Sequence, residues 1–191
     1  MGQAVALNLL LGRSEQAAIW IPSLGVYPDG FEFSVEIRHR LDEEEFGHPF
    51  FMHHHLHRRH RRASEEGIDP AFVRLGIEFS DGGKATNLDE RMPFALPGEP
   101  DRPPEGPVLS AGGGGGGGSG RWQHNFWVWP LPPEGPLAFV CEWPAAAIPE
   151  TRREIESAPL REAAASTVVL WPGEERSVSP SVSTVQLRRS Q

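Results

Sequence analysis

The stretch that decides the fold is RWQHNFWVWPLPPEGPLAFVCEWP, residues 121–144, which holds four of the six tryptophans of the chain. Residues 122–129 and 137–143 are rich in aromatic and branched side chains and are bounded by prolines, which is typical of strands. Prolines cannot donate the hydrogen bonds of a β-ladder, so pairing must stop at the proline-rich segment between them. The sequence therefore predicts an antiparallel hairpin with Trp129 opposite Leu137.

The register of this predicted hairpin determines which side chains share a face. It places His124 opposite Glu142 on the even-numbered face. The odd-numbered face is the more apolar one, so Trp127, Trp129 and Trp143 are predicted to face the core. A one-residue bulge would reverse the assignment for one of the two strands.

Other segments show strand patterns, and residues 31–40 show the clearest one. Phe31, Phe33, Val35 and Ile37 alternate there with polar residues. Further strands are predicted at residues 4–11 (buried on both faces), 16–21 with 24–27 (broken or placed at an edge by Pro22), 72–79, 84–87, 108–111 and 168–171.

One helix is predicted at residues 149–166, which are rich in Glu, Arg and Ala. Pro159 predicts a kink or a division into two short helices, with Ser157 as a candidate cap. Long loops are predicted at residues 41–69, 88–107 and 112–120, the last a flexible run of seven glycines, and a disordered tail at residues 172–191.

These elements predict a mainly β fold. Residues 1–171 are expected to form a single antiparallel β-sandwich with one helix near the C-terminal end. The absence of alternating strands and helices argues against a parallel sheet.

The composition excludes several classes of protein. A formal net charge of −8 argues against a nucleic-acid binder. Cys141 is the only cysteine, which rules out an internal disulfide and a four-thiolate zinc site. No apolar run is long enough to cross a membrane, so a cytoplasmic protein is expected. No cofactor is expected either, because the sequence carries no cofactor-binding motif.

The most conspicuous candidate metal site is the His-rich run at residues 53–60. His53, His55, His57 and His60 could bind Zn, Ni or Cu. The arginines among residues 58–62 place positive charge beside any cation, and no carboxylate stands at the spacing of a zinc protease. A solvated loop is the favoured interpretation. The alternatives are a physiological metal site and a basic surface that contacts phosphates or an acidic partner.

Two further candidate sites lie in the predicted hairpin. His124 and Glu142 could form a general acid–base pair, although a surface ion pair is the more common arrangement. Trp127, Trp129 and Trp143 could form an aromatic platform for a sugar ring or a peptide, or they could fill the core.

Four motifs carry a resemblance to a known group: FEFSVEIRHR at residues 31–40, RLGIEFSDGGKA at residues 74–85, the glycine run, and WVWPLPPEGPLAFVCEWP at residues 127–144. Over residues 9–171 the chain resembles uncharacterised β-rich proteins of high-GC actinobacteria, which have no established activity. The resemblance implies a bacterial cytoplasmic setting and no site residues.

The favoured function is a non-enzymatic binding or protein-interaction module whose partner is an unknown protein or small ligand. It rests on the lack of any motif that combines a nucleophile, a base and an oxyanion partner. The alternative is a metal-binding protein or hydrolytic enzyme that uses the His-rich run or the His124–Glu142 pair.

Overall fold

The computed structural model describes residues 1–40, 68–89, 106–118, 120–168 and 170. The elements of these residues, in chain order, are β1 (Gln3–Arg13), β2 (Ala17–Tyr27), β3 (Gly30–His39), β4 (Arg74–Glu78), β5 (Lys84–Thr86), β6 (Val108–Gly118), β7 (Arg121–Trp129), β8 (Pro136–Trp143), β9 (Ile148–Glu156) and the helix α1 (Ala158–Ala165), with a 3₁₀ turn at Pro144–Ala146. The predicted tail at 172–191 and nearly all of the predicted loops at 41–69 and 88–107 lie outside the described residues.

The strands form two antiparallel sheets that enclose one core. The five-stranded sheet has the order β1-β2-β3-β7-β6, and the four-stranded sheet has the order β5-β4-β8-β9. Buried apolar residues of both sheets belong to one continuous cluster. Phe33 of the first sheet meets Phe139 of the second edge to face, with ring centroids 5.5 Å apart. The predicted class, an antiparallel β-sandwich with one helix near the C-terminal end, is confirmed for the described residues.

The predicted hairpin of residues 121–144 is wrong, although both of its strands exist. β7 pairs with β3 and β6, whereas β8 pairs with β4 and β9. Residues 130–135, which we call the crossover, therefore carry the chain from one sheet to the other. The prolines end both ladders, and each strand completes its hydrogen bonds with partners that are distant in sequence.

The change of sheet also corrects the predicted core face. In β8 the odd-numbered residues Phe139 and Trp143 are buried, as predicted. In β7 the even-numbered residues Trp122, Phe126 and Val128 are buried instead. The two strands belong to opposite layers. β7 faces the shared core with its even-numbered residues, and β8 faces it with its odd-numbered residues.

The early strands confirm most of the predicted pattern. Phe31, Phe33, Val35 and Ile37 of β3 are all buried, as their alternation predicts. β2 passes through Pro22 as one central strand whose pairing with β3 shifts register between residues 20 and 24, so Pro22 neither breaks it nor places it at an edge. β1 is an edge strand with one side exposed, so its predicted burial on both faces is wrong.

The glycine run is a strand and not the predicted flexible loop. Residues 112–118 belong to β6, which pairs with β7 up to Gly118–Arg121. The register shifts between Ala111 and Gly115, and the pairing is regular again after that bulge. Backbone hydrogen bonds to β7 hold these glycines in the sheet, because they have no side chains that could anchor them.

The predicted helix at residues 149–166 is correct only in its second half. Residues 148–156 form β9, which pairs along β8, and α1 begins after Ser157. Pro159 lies in the first turn of α1, where its missing N–H is not needed. It therefore fits the start of the helix and does not kink it. Ser157 is at the cap position, but its Oγ donates to the Pro133 carbonyl, 2.7 Å away, and not to the helix.

The end of the described chain lacks the predicted closing strand. Residues 168 and 170 are not in a strand, and residues 169 and 171 lie outside the described residues. The Val168 amide instead donates to the Met1 carbonyl, 3.4 Å away. No helix in the described ranges is long and apolar enough to cross a membrane.

Candidate binding surface

The predicted His124–Glu142 pair does not form, because its members belong to different sheets. His124 lies opposite Val35 and Gly115 in the five-stranded sheet, and its ring contacts Phe126 at a centroid distance of 5.0 Å. Glu142 accepts a hydrogen bond from Nη1 of Arg74 on the neighbouring strand, 2.5 Å away. A general acid–base pair made of these two residues is therefore excluded by the strand order.

The three candidate tryptophans divide between the core and the outer surface. Trp143 is fully buried, and its Nε1 donates to the Ala71 carbonyl at 3.0 Å. Trp127 and Trp129 are half-buried on the outer face of the five-stranded sheet. The prediction that all three share a core-facing surface is wrong, and an aromatic ligand platform can include only Trp127 and Trp129.

The His-rich run cannot be placed, because His53, His55, His57 and His60 lie outside the described residues. Among the residues that the structure describes, no group of three or more His, Cys, Asp and Glu side chains could hold a metal ion. The metal site at residues 53–60 stays a prediction.

Cys141 is a core thiol. It is fully buried in β8. Burial, and to a lesser extent the charge of Glu142, raises the pKa of the Cys141 thiol to about 12. The thiolate, which is the nucleophilic form, is therefore strongly disfavoured at neutral pH.

A cluster on the outer face of the five-stranded sheet joins Trp127 to residues that the sequence did not single out. Tyr27 of β2 packs against Trp127 of β7 with ring centroids 5.4 Å apart. The Tyr27 hydroxyl donates to Oε1 of Glu32 at 2.9 Å, and Glu32 lies directly opposite Trp127. A Cβ on Gly30 would lie 2.3 Å from the Val128 carbonyl oxygen and 2.9 Å from Cζ2 of Trp127, so glycine at this position leaves room for the β7 backbone and for the indole ring.

Polar side chains continue this cluster along β3 and β7. Ser34 Oγ donates to Asn125 Oδ1 at 2.9 Å, and Gln123 Nε2 donates to Ser34 Oγ at 3.2 Å. One step further, Arg121 Nη2 lies 3.3 Å from Glu36 Oε2. We call this surface, without the Arg121–Glu36 ion pair, the outer ladder. It consists of Tyr27, Glu32, Ser34, Gln123, Asn125 and Trp127.

The outer ladder offers an aromatic ring beside neutral hydrogen-bonding groups on a rigid sheet. Such a surface can stack against a flat apolar ligand face and bond to hydroxyl or amide groups at its rim. The alternation of residues 31–40 indicated that Glu32 and Ser34 face outward. The pairing of β3 with β7, which sets them beside Asn125 and Trp127, has no local signal in the sequence.

No family model, no curated protein and no solved structure matches the chain. The resemblance to β-rich proteins of high-GC actinobacteria therefore stays a prediction.

Proposed function

We propose that the protein is a non-enzymatic binding module and that the outer ladder is its ligand surface. The observation that carries the proposal is that the Tyr27–Trp127 ring pair, with Glu32 bonded to Tyr27, shares one sheet face with a row of neutral polar side chains on β3 and β7. The ligand class that fits is a compound with a flat apolar face and several hydroxyl groups, as in a saccharide. The proposed setting is the bacterial cytoplasm.

Each part of a sugar ring has a counterpart on this surface. The C–H face of a pyranose can stack on an indole ring, which supplies a large contact area at low entropic cost. Its hydroxyl groups can both donate and accept hydrogen bonds, and the amides of Gln123 and Asn125 also do both. Glu32 adds an acceptor that is already held in place by the Tyr27 hydroxyl.

The stability of the sheet supports this role. All of the outer ladder except Tyr27 lies on β3 and β7, which pair continuously from Phe31–Val128 to Arg38–Arg121. Side chains on central strands keep their positions more precisely than side chains on loops, so little ordering entropy has to be lost on binding. A rigid platform is typical of binding surfaces that recognise ligand shape.

The test is a titration of the protein with a panel of mono- and oligosaccharides, followed by tryptophan fluorescence and calorimetry. Trp127→Ala is expected to weaken binding by about tenfold or more, because the stacking contact is lost. Trp20→Ala is the matched control: Trp20 is half-buried on the same outer face, but it lies opposite Glu36, away from Tyr27. The affinity of the Trp20→Ala variant for the saccharide is expected to stay within about twofold of that of the parent protein.

A second variant separates stacking from hydrogen bonding. Asn125→Ala removes the amide that accepts from Ser34 and leaves Trp127 in place. We expect weaker binding with the change in tryptophan fluorescence retained. A flat response across the saccharide panel, or equal losses from Trp127→Ala and Trp20→Ala, would refute the proposal.

A further inference from the structure

Strand β6 is the last strand of the five-stranded sheet, and its final residues have no side chains. On one side it pairs with β7. Within the described ranges, no strand pairs with its other side. Residues 115–118 are exposed. Backbone N–H and C=O groups along a free sheet edge are available to pair with another strand.

Two of these glycines are required by the packing of β7. A Cβ on Gly117 would lie 2.3 Å from the Arg121 carbonyl oxygen and 2.5 Å from Cδ2 of Trp122, and a Cβ on Gly115 would lie 2.8 Å from the Gln123 carbonyl oxygen and 3.0 Å from Nδ1 of His124. The two glycines lie opposite Trp122 and His124 in the register. Close approach of the β7 backbone and of these two side chains therefore explains glycine at positions 115 and 117.

Gly116 has no such explanation. A Cβ at this position would meet no atom within 4 Å, and the residue lies opposite the outward-facing Gln123. Glycine weakens a strand because it loses more conformational entropy than any other residue on folding. A glycine in a strand that packing does not require often marks a place where another backbone or a ligand approaches closely.

The edge also lacks the features that usually prevent pairing with other chains. Exposed edges are commonly protected by lysine, proline or a bulge. β6 has the sequence VLSAGGGGGGG, with no charged residue and no proline. Its bulge lies before Gly115, and the pairing with β7 is regular from there to Gly118. Residues 115–118, which we call the glycine edge, therefore present a regular open ladder.

We infer that the glycine edge is a docking site for an extended segment of another protein, which adds to the sheet as a sixth strand beside β6. Main-chain hydrogen bonds provide affinity in this mode of recognition, and alternate side chains provide specificity. The site lies at the edge of the sheet and shares only Gln123 with the outer ladder, so the inference goes beyond the proposed ligand surface.

The buried area favours a partner with its own side chains over a second copy of this chain. Two glycine edges paired with each other would contribute only backbone, far below the roughly 1,200 Å² that a stable interface requires. An added peptide supplies side chains that can lie over the bare glycines. On the inner side they approach the rings of Trp122 and His124, which lie opposite Gly117 and Gly115.

The outer side of the docked strand meets different chemistry. Gln123 lies opposite Gly116, and Arg121 lies opposite Gly118 with about half of its side chain exposed. A carboxylate or another acceptor on the partner can bond to the guanidinium nitrogens of Arg121. The partner segment that fits best alternates branched apolar residues with acidic residues.

The experiment uses the full chain and a dye-labelled peptide, acetyl-Val-Glu-Val-Glu-Val-Glu-amide, with fluorescence anisotropy as the measure of binding. The control is the same peptide with alternate amides N-methylated, which removes strand hydrogen bonds and leaves the side chains unchanged. We expect saturable binding of the first peptide and at least tenfold weaker binding of the second. Hydrogen exchange measured by mass spectrometry should slow in the fragment that contains residues 115–118.

Two variants at one position test the location of the site. Gly116→Glu adds a carboxylate on the outer side and should weaken binding of the acidic peptide about tenfold. Gly116→Ala adds only a methyl group on the side that the partner approaches and should weaken binding by a smaller factor, about threefold. Trp127→Ala should leave peptide binding unchanged, so failure of the saccharide proposal and failure of this inference are distinguishable.

Four results would overturn the inference. The first is the absence of saturable peptide binding. The second is equal binding of the N-methylated peptide, and the third is slowed exchange that excludes residues 115–118. The fourth is a dimer in sedimentation experiments that slows exchange of the same fragment, because a second copy would then occupy the edge.

Discussion

Residue-scale chemistry is clearest at Cys141, which is fully buried in β8. Burial is the main cause and the Glu142 charge the lesser cause of the rise of its pKa from 9.0 to about 12. An unfolded chain would lose the thiol proton near pH 9 and the folded chain near pH 12. Below pH 9 the full stabilising contribution is present, and it is lost as the pH rises toward 12.

The first prediction concerns the reactivity of this thiol. At pH 8 the native protein should react with a chromogenic disulfide reagent much more slowly than the protein unfolded in guanidinium chloride, which should react at once. Cys141→Ala provides the blank for both conditions. A native rate equal to the unfolded rate would show that the thiol is accessible and would contradict its place in the core.

The second prediction concerns Glu142 and its true partner. Arg74 and Glu142 are both about two-thirds buried and lie 2.5 Å apart. Removal of one charge leaves the other desolvated, so Glu142→Gln should lower the free energy of unfolding by about 1–2 kcal/mol. Denaturant unfolding of Arg74→Met, Glu142→Gln and the double variant should give a coupling energy of about 1 kcal/mol.

The control for this pair is the same cycle with His124→Asn in place of the Arg74 variant. His124 lies in the other sheet, so its effect and that of Glu142→Gln should simply add. Coupling between His124 and Glu142 comparable to that of the ion pair would argue for the hairpin register, which the structure excludes.

At the scale of elements, β6 shows how a neighbour can order a run of glycines. The third prediction compares two adjacent alanine variants. Gly117→Ala brings a Cβ to 2.5 Å from the Trp122 ring and should cost about 1–3 kcal/mol. Gly116→Ala meets open space and should stabilise by about 0.5–1 kcal/mol. Thermal and denaturant unfolding measure the change in stability of both variants. Equal changes would indicate that the glycines form a flexible loop and not a strand.

The fourth prediction concerns β9, which closes one side of the sandwich. Thr151 Oγ1 donates to the Leu11 carbonyl of β1 at 2.7 Å, and the Cys141 carbonyl lies 3.2 Å away. Thr151→Val removes the donor with little change of volume and should destabilise the fold by about 1 kcal/mol. Glu150→Gln, an exposed neighbour, is the control and should leave the denaturation midpoint nearly unchanged.

The whole molecule is held together by the contact between the two layers and by the crossover. Phe33 and Phe139 meet across the core. The crossover is fixed at several points: Leu131 N donates to the Asp29 carbonyl at 3.0 Å, and Arg161 of α1 donates to the Pro132 carbonyl at 3.2 Å. The helix therefore stabilises the connection between the sheets.

The fifth prediction tests the layered arrangement. Phe139→Ala removes a ring from the interface between the sheets and should cost about 3–5 kcal/mol. Val140→Ala, one residue away on the outer face, should cost about 1 kcal/mol because its side chain is only partly buried. Denaturant unfolding of both variants measures the difference, and similar losses would mean that β8 does not face a common core.

Much of the fold could be predicted from the alternation of side chains. Phe31 to Ile37 share a buried face as expected, because a strand has a period of two residues whatever its surroundings. The mainly β class of the fold, the helix near the C-terminal end and the end of strand pairing at the prolines of the crossover follow from equally local causes. Of the candidate site, the sequence indicated Trp127 but not its neighbours Tyr27 and Glu32.

Strand partners were decided only by the tertiary structure. A period of two residues specifies which side chains share a face, and a proline marks the end of a ladder, but neither specifies which strand lies alongside. The sequence pattern of β7 and β8 therefore predicts a hairpin, although the crossover places the two strands in opposite sheets. Residues 148–156 and the glycines of β6 became strands for the same reason: an adjacent strand supplied the hydrogen bonds that their own composition does not favour.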